Sequence, residues 1–137
     1  PVKEIRDVFV AGRKFEYLKE RMLGYEELMK LPVMCLEGNT STRTYVEQFL
    51  ASKQVTIRPE FELATSDMLI QFAVRNLGIA SVVRNFAEEH LTEGDLFELR
   101  FLEEIPARTF CIVANERIPL SAAAATLMNV LVQGTSQ

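Results

Sequence analysis

Apolar runs and amphipathic stretches alternate between residues 33 and 83. A short apolar run, Val33 to Leu36, follows Pro32 and breaks at Glu37-Gly38-Asn39. Residues 41–52 then place Tyr45, Val46, Phe49 and Leu50 on one helical face. Arg58-Pro59 introduces residues 60–64, which alternate like a strand. Thr65-Ser66-Asp67 is a helix start, with a hydroxyl cap and an acid in the first turn. Residues 67–77 set Leu69, Ile70, Ala73, Val74 and Leu77 on one stripe, opposite Asp67, Gln71 and Arg75, and Gly78 is the predicted stop at the C′ position. Residues 79–83 are apolar without alternation, as in a strand buried on both faces. The order β-α-β-α-β with short connections predicts an α/β fold, a parallel-rich sheet flanked by helices with a right-handed hand.

The flanks add further elements. Residues 5–11 read as one strand ended by Gly12, residues 15–23 as an amphipathic helical turn, and residues 25–31 as a short helix with Leu28 and Leu31 inward. Residues 85–91 read as a helix. Residues 96–101 alternate as a strand, with Leu96, Glu98 and Arg100 on one face and Phe97, Leu99 and Phe101 on the other. Residues 108–114 read as a strand, and residues 122–133 as a helix with Ala125, Met128, Leu131 and Val132 as its apolar stripe.

At 137 residues, 48% hydrophobic and 25% charged, the chain fits one globular domain. Its net charge of −4 argues against holding nucleic acid by itself, which needs a basic face. Its apolar runs fall short of the ~20 residues that span a bilayer, and its first residues are no signal peptide. Cys35 and Cys111 each sit in an apolar run and read as reduced core residues. His90 follows Glu88-Glu89, without a second histidine or a metal-ligand spacing, so the segment reads as a solvated helix face and no metal or cofactor is expected. The nucleophile-elbow, Walker and dinucleotide motifs are absent, and the carboxylates are scattered; this points away from an enzyme.

The candidate chemistry lies at the helix start Asn39, Thr40, Ser41, Thr42 and Arg43. The first turn of a helix offers free N–H groups and the positive end of the dipole, so hydroxyls and Arg43 there suit a small anion. The plainer alternative is that Ser41 or Thr42 is an N-cap. In parallel sheets ligands bind at the carboxyl ends of the strands, and a second hydroxyl-rich start, at Thr65, falls on that same edge.

Six stretches then line up in order: Glu27-Leu28 with Leu31-Pro32-Val33; Gly38-Asn-Thr-Ser-Thr-Arg43; Ala64-Thr-Ser-Asp-Met-Leu69; Asn76-Leu-Gly-Ile-Ala80; Leu91-Thr-Glu-Gly-Asp-Leu96; and Ile118-Pro-Leu-Ser-Ala-Ala-Ala124. Together they resemble the effector-binding domain of LysR-type transcriptional regulators, over nearly the whole chain. The resemblance implies a two-lobed domain similar to type 2 periplasmic binding proteins, with a small effector between the lobes, a carboxylate or inorganic anion. It implies that residues 14–103 form the second lobe. Residues 1–13 and 104–137 then hold the strands crossing between lobes and a remnant of a truncated first lobe. It further implies that Asn39 to Arg43 and Thr65 face the effector. DNA would be bound only by a winged helix-turn-helix N-terminal to this chain, in a cytoplasmic homodimer or homotetramer. Many members carry a proline soon after the Gly-Ile-Ala strand; this chain has Ser81-Val-Val-Arg84 instead. A solute-binding protein of a transport system is the alternative on the same fold. With a first lobe truncated, the apolar stripe of residues 122–133 is expected to repack on the second lobe or to meet a second copy.

Overall fold

A computed structural model describes residues 2–38 and 40–111. The first strands are β1 (Val2–Ile5) and β2 (Asp7–Ala11), followed by a 3₁₀ turn over Arg13–Leu18 and the short β3 (Met22–Leu23). A second 3₁₀ turn, Tyr25–Lys30, precedes β4 (Val33–Leu36), α1 (Ser41–Ser52), β5 (Phe61–Leu63), α2 (Ser66–Val74), β6 (Ile79–Val83) and α3 (Arg84–Glu93). Three short strands follow, β7 (Phe97–Glu98), β8 (Arg100–Phe101) and β9 (Arg108–Cys111).

The main sheet has the order β5-β4-β6-β2-β7. Strand β4 pairs in parallel with both β5 and β6, as the β-α-β-α-β pattern requires, while β2 runs antiparallel to β6 and β7. Four strands therefore point one way and β2 the other. Alternate residues feed two cores. Phe9, Val33 and Ile79 pack with Val46 and Leu50 of α1; Val8, Met34, Ala80 and Val82 pack with Leu69, Ile70 and Ala73 of α2 and Ala87 of α3. With helices on both faces, β2 and β6 are buried along their whole lengths.

Several boundaries differ from the expectations. The run 5–11 is two strands rather than one: β1 leaves the main sheet and pairs with β9, and β2 carries on into its centre. The run 96–101 is also divided, β7 joining β2 and β8 joining β3. Its alternation fails because Leu96, Phe97 and Leu99 are all buried. Helix α2 stops at Val74, and the left-handed residue after it is Asn76 (φ +63°), not Gly78. Leu77 is consequently off the stripe and 44% exposed. Gly78 serves a different need. A Cβ there would lie 2.6 Å from the Pro32 carbonyl oxygen, which accepts the Ile79 N–H at 2.8 Å. Residues 112–114 of the expected strand and the helix expected over 122–133 lie outside the described residues.

Candidate functional site

Helix α1 begins where β4 ends, at the carboxyl edge of the sheet, and α2 begins at the same edge after β5. The cap of α1 is Thr40, one residue before the two that the pattern suggested. Its Oγ1 accepts the Arg43 N–H at 3.1 Å. Thr65 caps α2 in the same way, accepting from Met68 N–H at 3.2 Å. Ser41 is exposed at the first helical position, and Asn39 lies outside the described residues. Of the described candidate residues, Thr42 and Arg43 line the cavity beneath α1.

Arg43 is held on three sides. Its Nε donates to Glu47 at 2.6 Å, and one terminal nitrogen donates to Glu62 at 2.8 Å and to the Leu36 carbonyl at 3.0 Å. Burial opposes the charge, but the bonds to Glu62 and Glu47 more than offset it and hold the pKa above its ordinary value. Thr42 belongs to a second cluster. Its Oγ1 accepts from Arg108 at 2.8 Å, and Arg108 grips both oxygens of Asp7 at 2.9 and 3.0 Å. The guanidinium also lies 5.1 Å from the centre of the Tyr45 ring. Tyr45 in turn donates its hydroxyl to the Pro106 carbonyl at 2.8 Å. Two positions three apart on α1 thus tie the helix to β9 and the segment leading into it. Asp7 is 3% exposed; burial pushes its carboxyl up from the usual range, and the Arg108 bonds counter part of that.

The cavity measures about 380 Å³. Its walls are mostly apolar, with Phe9 of β2, Cys35 and Leu36 of β4, Val46 and Leu50 of α1, and Ile57 of the following loop. Ser81 of β6, cross-strand partner of Phe9, adds a hydroxyl; it is 7% exposed and its side chain makes no hydrogen bond among the described residues. Burial pushes the Cys35 thiol up to about 11, despite nearby Arg43. The thiol is therefore protonated at neutral pH and forms part of the apolar wall.

Asp7, Ser81 and Arg108 were not singled out by the sequence pattern. Ser81 left a trace there, as the polar residue of an otherwise apolar strand; Asp7 and Arg108 open their strands and left none. Elsewhere, His90, Glu93 and Asp95 bring one ligand atom each within 4.8 Å of one another. His90 Nδ1 and Asp95 Oδ2 are already bonded at 2.9 Å, next to the left-handed Gly94 that closes α3. That hydrogen bond joins the last turn of α3 to the residue after Gly94.

Comparison with known proteins gives a consistent picture. The family model of the LysR substrate binding domain matches residues 1–136. A transcriptional activator from Synechocystis, CmpR, is 27% identical over 73 residues, covering 53% of this chain and 24% of that protein. The chain thus spans about a quarter of the length of this curated relative. Among solved structures, the Synechocystis CcmR regulatory domain in complex with 2-PG matches all of this chain and 67% of its own, at a TM-score of 0.70 and 17% identity. The effector-binding domain of QuiR in complex with shikimate matches 98% of this chain and 65% of its own, at a TM-score of 0.68 and 9% identity. Full-length HypT from Salmonella typhimurium, a hypochlorite-specific regulator, matches 98% of this chain and 45% of its own, at a TM-score of 0.65 and 20% identity. At these identities the likeness of the structures concerns the fold.

Proposed function

The chain belongs to the LysR substrate-binding domain family, and from that premise we propose that it senses a small effector at the start of α1, between two lobes, for a DNA-binding transcriptional regulator. The effector-binding role follows from the family; the anionic character of the effector, its seat and the interlobe cleft are this reading's own. Residues 14–103 act as the second lobe, and the paired strands β1 and β9 carry the chain between lobes. DNA contact belongs to an N-terminal helix-turn-helix, in a cytoplasmic homodimer or homotetramer, and the role is regulatory rather than enzymatic. The relatives solved with 2-PG and with shikimate support small-molecule binding on this fold.

One observation carries the reading. Thr42 faces the cavity, and the same hydroxyl oxygen accepts a bond from Arg108 on β9. An effector that engages Thr42 therefore acts on a group wired to the crossing strands. It biases a two-state equilibrium in lobe angle only as far as it binds one state better than the other. Arg43 and the N–H groups of the first turn add positive potential at the same place.

A thermal melt of the full-length regulator against small carboxylates, sulfate and phosphate tests this. An effector at ~100 times its Kd is expected to add about 2.7 kcal/mol of stability. Thr42→Val, which keeps the shape and removes the hydroxyl, is expected to abolish the shift while the protein stays folded. A saturable shift that survives both Thr42→Val and Arg43→Ala would place the effector elsewhere.

A further inference from the structure

We propose that the effector site continues beneath α1 as an apolar slot, built for a monocarboxylate with an aromatic or alicyclic body whose head lies between the Thr42 and Ser81 hydroxyls. This rests on the seat at Thr42 argued above and specifies its ligand. The slot follows one face of the helix. Its α1 wall runs from Thr42 through Val46 and Leu50 to Ala51, roughly 13 Å at 1.5 Å per residue. The opposite wall is apolar, and its thiol is uncharged. At about 380 Å³ the cavity falls within the ~300–1,000 Å³ range of small-molecule sites.

The polar groups fall together in the set. Thr42 Oγ1 already accepts from Arg108, so its proton is left to donate. Ser81 stands in an otherwise apolar strand with 93% of its surface covered, since it is 7% exposed, and has no side-chain partner among the described residues. A hydroxyl that lines the cavity and is not taken up by a described residue is left to donate to a ligand acceptor there. The charges set the upper limit on the ligand. Arg43 is matched by Glu47 and Glu62, and Arg108 by Asp7. The charged groups that line the cavity are Arg43 and Glu47, one of each sign. A dianion such as sulfate brings two charges to a lining of no net charge, whereas one carboxylate is served by two hydroxyls and the helix start.

Calorimetric titration of the protein with cinnamate and cyclohexanecarboxylate, beside sulfate, phosphate and malonate, tests the proposal. The two apolar monocarboxylates are expected to bind, and the dianions to bind more weakly or not at all. Ser81→Ala removes an unpartnered hydroxyl, so the melting temperature is expected to hold or rise while cinnamate binding weakens about five- to tenfold. Ala51 is exposed, so Ala51→Trp is tolerated by the helix; it fills the slot and is expected to abolish cinnamate binding. Should Ala51→Trp fail to fold, Ser81→Ala decides alone. Tighter binding of the dianions, lost in Thr42→Val but unchanged in Ala51→Trp and Ser81→Ala, overturns the slot and leaves the sensing site at Thr42 standing. No heat and no melting shift with any of the five probes overturns the slot, and the preceding reading is then decided by its wider carboxylate panel.

Discussion

At the residue scale the site is governed by where charge and hydroxyls are compensated. Arg43, the obvious anion receptor in the sequence, spends three hydrogen bonds on Glu47, Glu62 and the Leu36 carbonyl. Thr40, expected to face the effector, caps the helix through its Oγ1. Asp7 and Arg108 form the buried pair that the linear pattern did not bring together, because they lie 101 positions apart. Asp7→Asn removes one partner of that pair and is expected to cost about 3 kcal/mol in a denaturant melt, since the Arg108 charge is left half-buried and uncompensated. Cys35 carries a pH prediction. Its folded pKa of about 11 stands above the ordinary 9.0, so the unfolded chain loses its thiol proton first as pH rises. Stability that is fully present below pH 9 is thus lost progressively between about 9 and 11, and Cys35→Ser is expected to remove that component of the pH dependence. Alkylation of Cys35 by iodoacetamide is likewise expected to be slow at neutral pH.

At the element scale, helix boundaries are set by short polar contacts. Thr40 and Thr65 close the first turns of α1 and α2, and Thr65→Ala is expected to cost ~1 kcal/mol in an equilibrium melt. Helix periodicity identified both helices, but it could not say which hydroxyl would cap α1. That depends on where the chain turns out of β4. The end of α2 was misplaced for a related reason. Asn76 takes the left-handed conformation and its Oδ1 accepts the Lys14 N–H at 3.0 Å, a bond across 62 positions. Gly12 lies against the same helix end, where a Cβ would meet the Ala73 carbonyl oxygen at 2.7 Å. Asn76→Ala loses both the bond and the tolerance for φ +63°, and is expected to cost about 1–2 kcal/mol. Gly78→Ala is expected to cost more than Asn76→Ala in the same melt, because its Cβ meets Pro32 backbone at 2.6 Å inside the sheet.

At the scale of the whole molecule, a sheet covered on both faces is joined to a separate two-stranded ladder. Asp7 stands at the start of β2, directly after Arg6 separates it from β1; Arg108 opens β9. The pair therefore sits where the ladder meets the sheet, and Thr42 and Tyr45 attach α1 to the same point. Arg108→Ala is expected to speed amide hydrogen exchange in β1 and β9 and to leave the β4–β6 core protected, because the ladder loses its connection to the sheet. Equal acceleration throughout would show that the cluster supports the fold as a whole instead.

The sequence by itself determined the class of architecture, the parallel β4-α1-β5-α2-β6 unit and the edge on which its helices begin. Those follow from hydrophobic period and chain order, which are local properties. The tertiary structure alone decided that 5–11 is two strands, that 96–101 is divided between two pairings, and that Ser81 and Thr42 share a cavity. Each of those depends on which distant segment packs alongside: β9 on β1, β3 on β8, α1 over β6. Burial and pairing between such segments are long-range quantities, and no window of the linear pattern contains them.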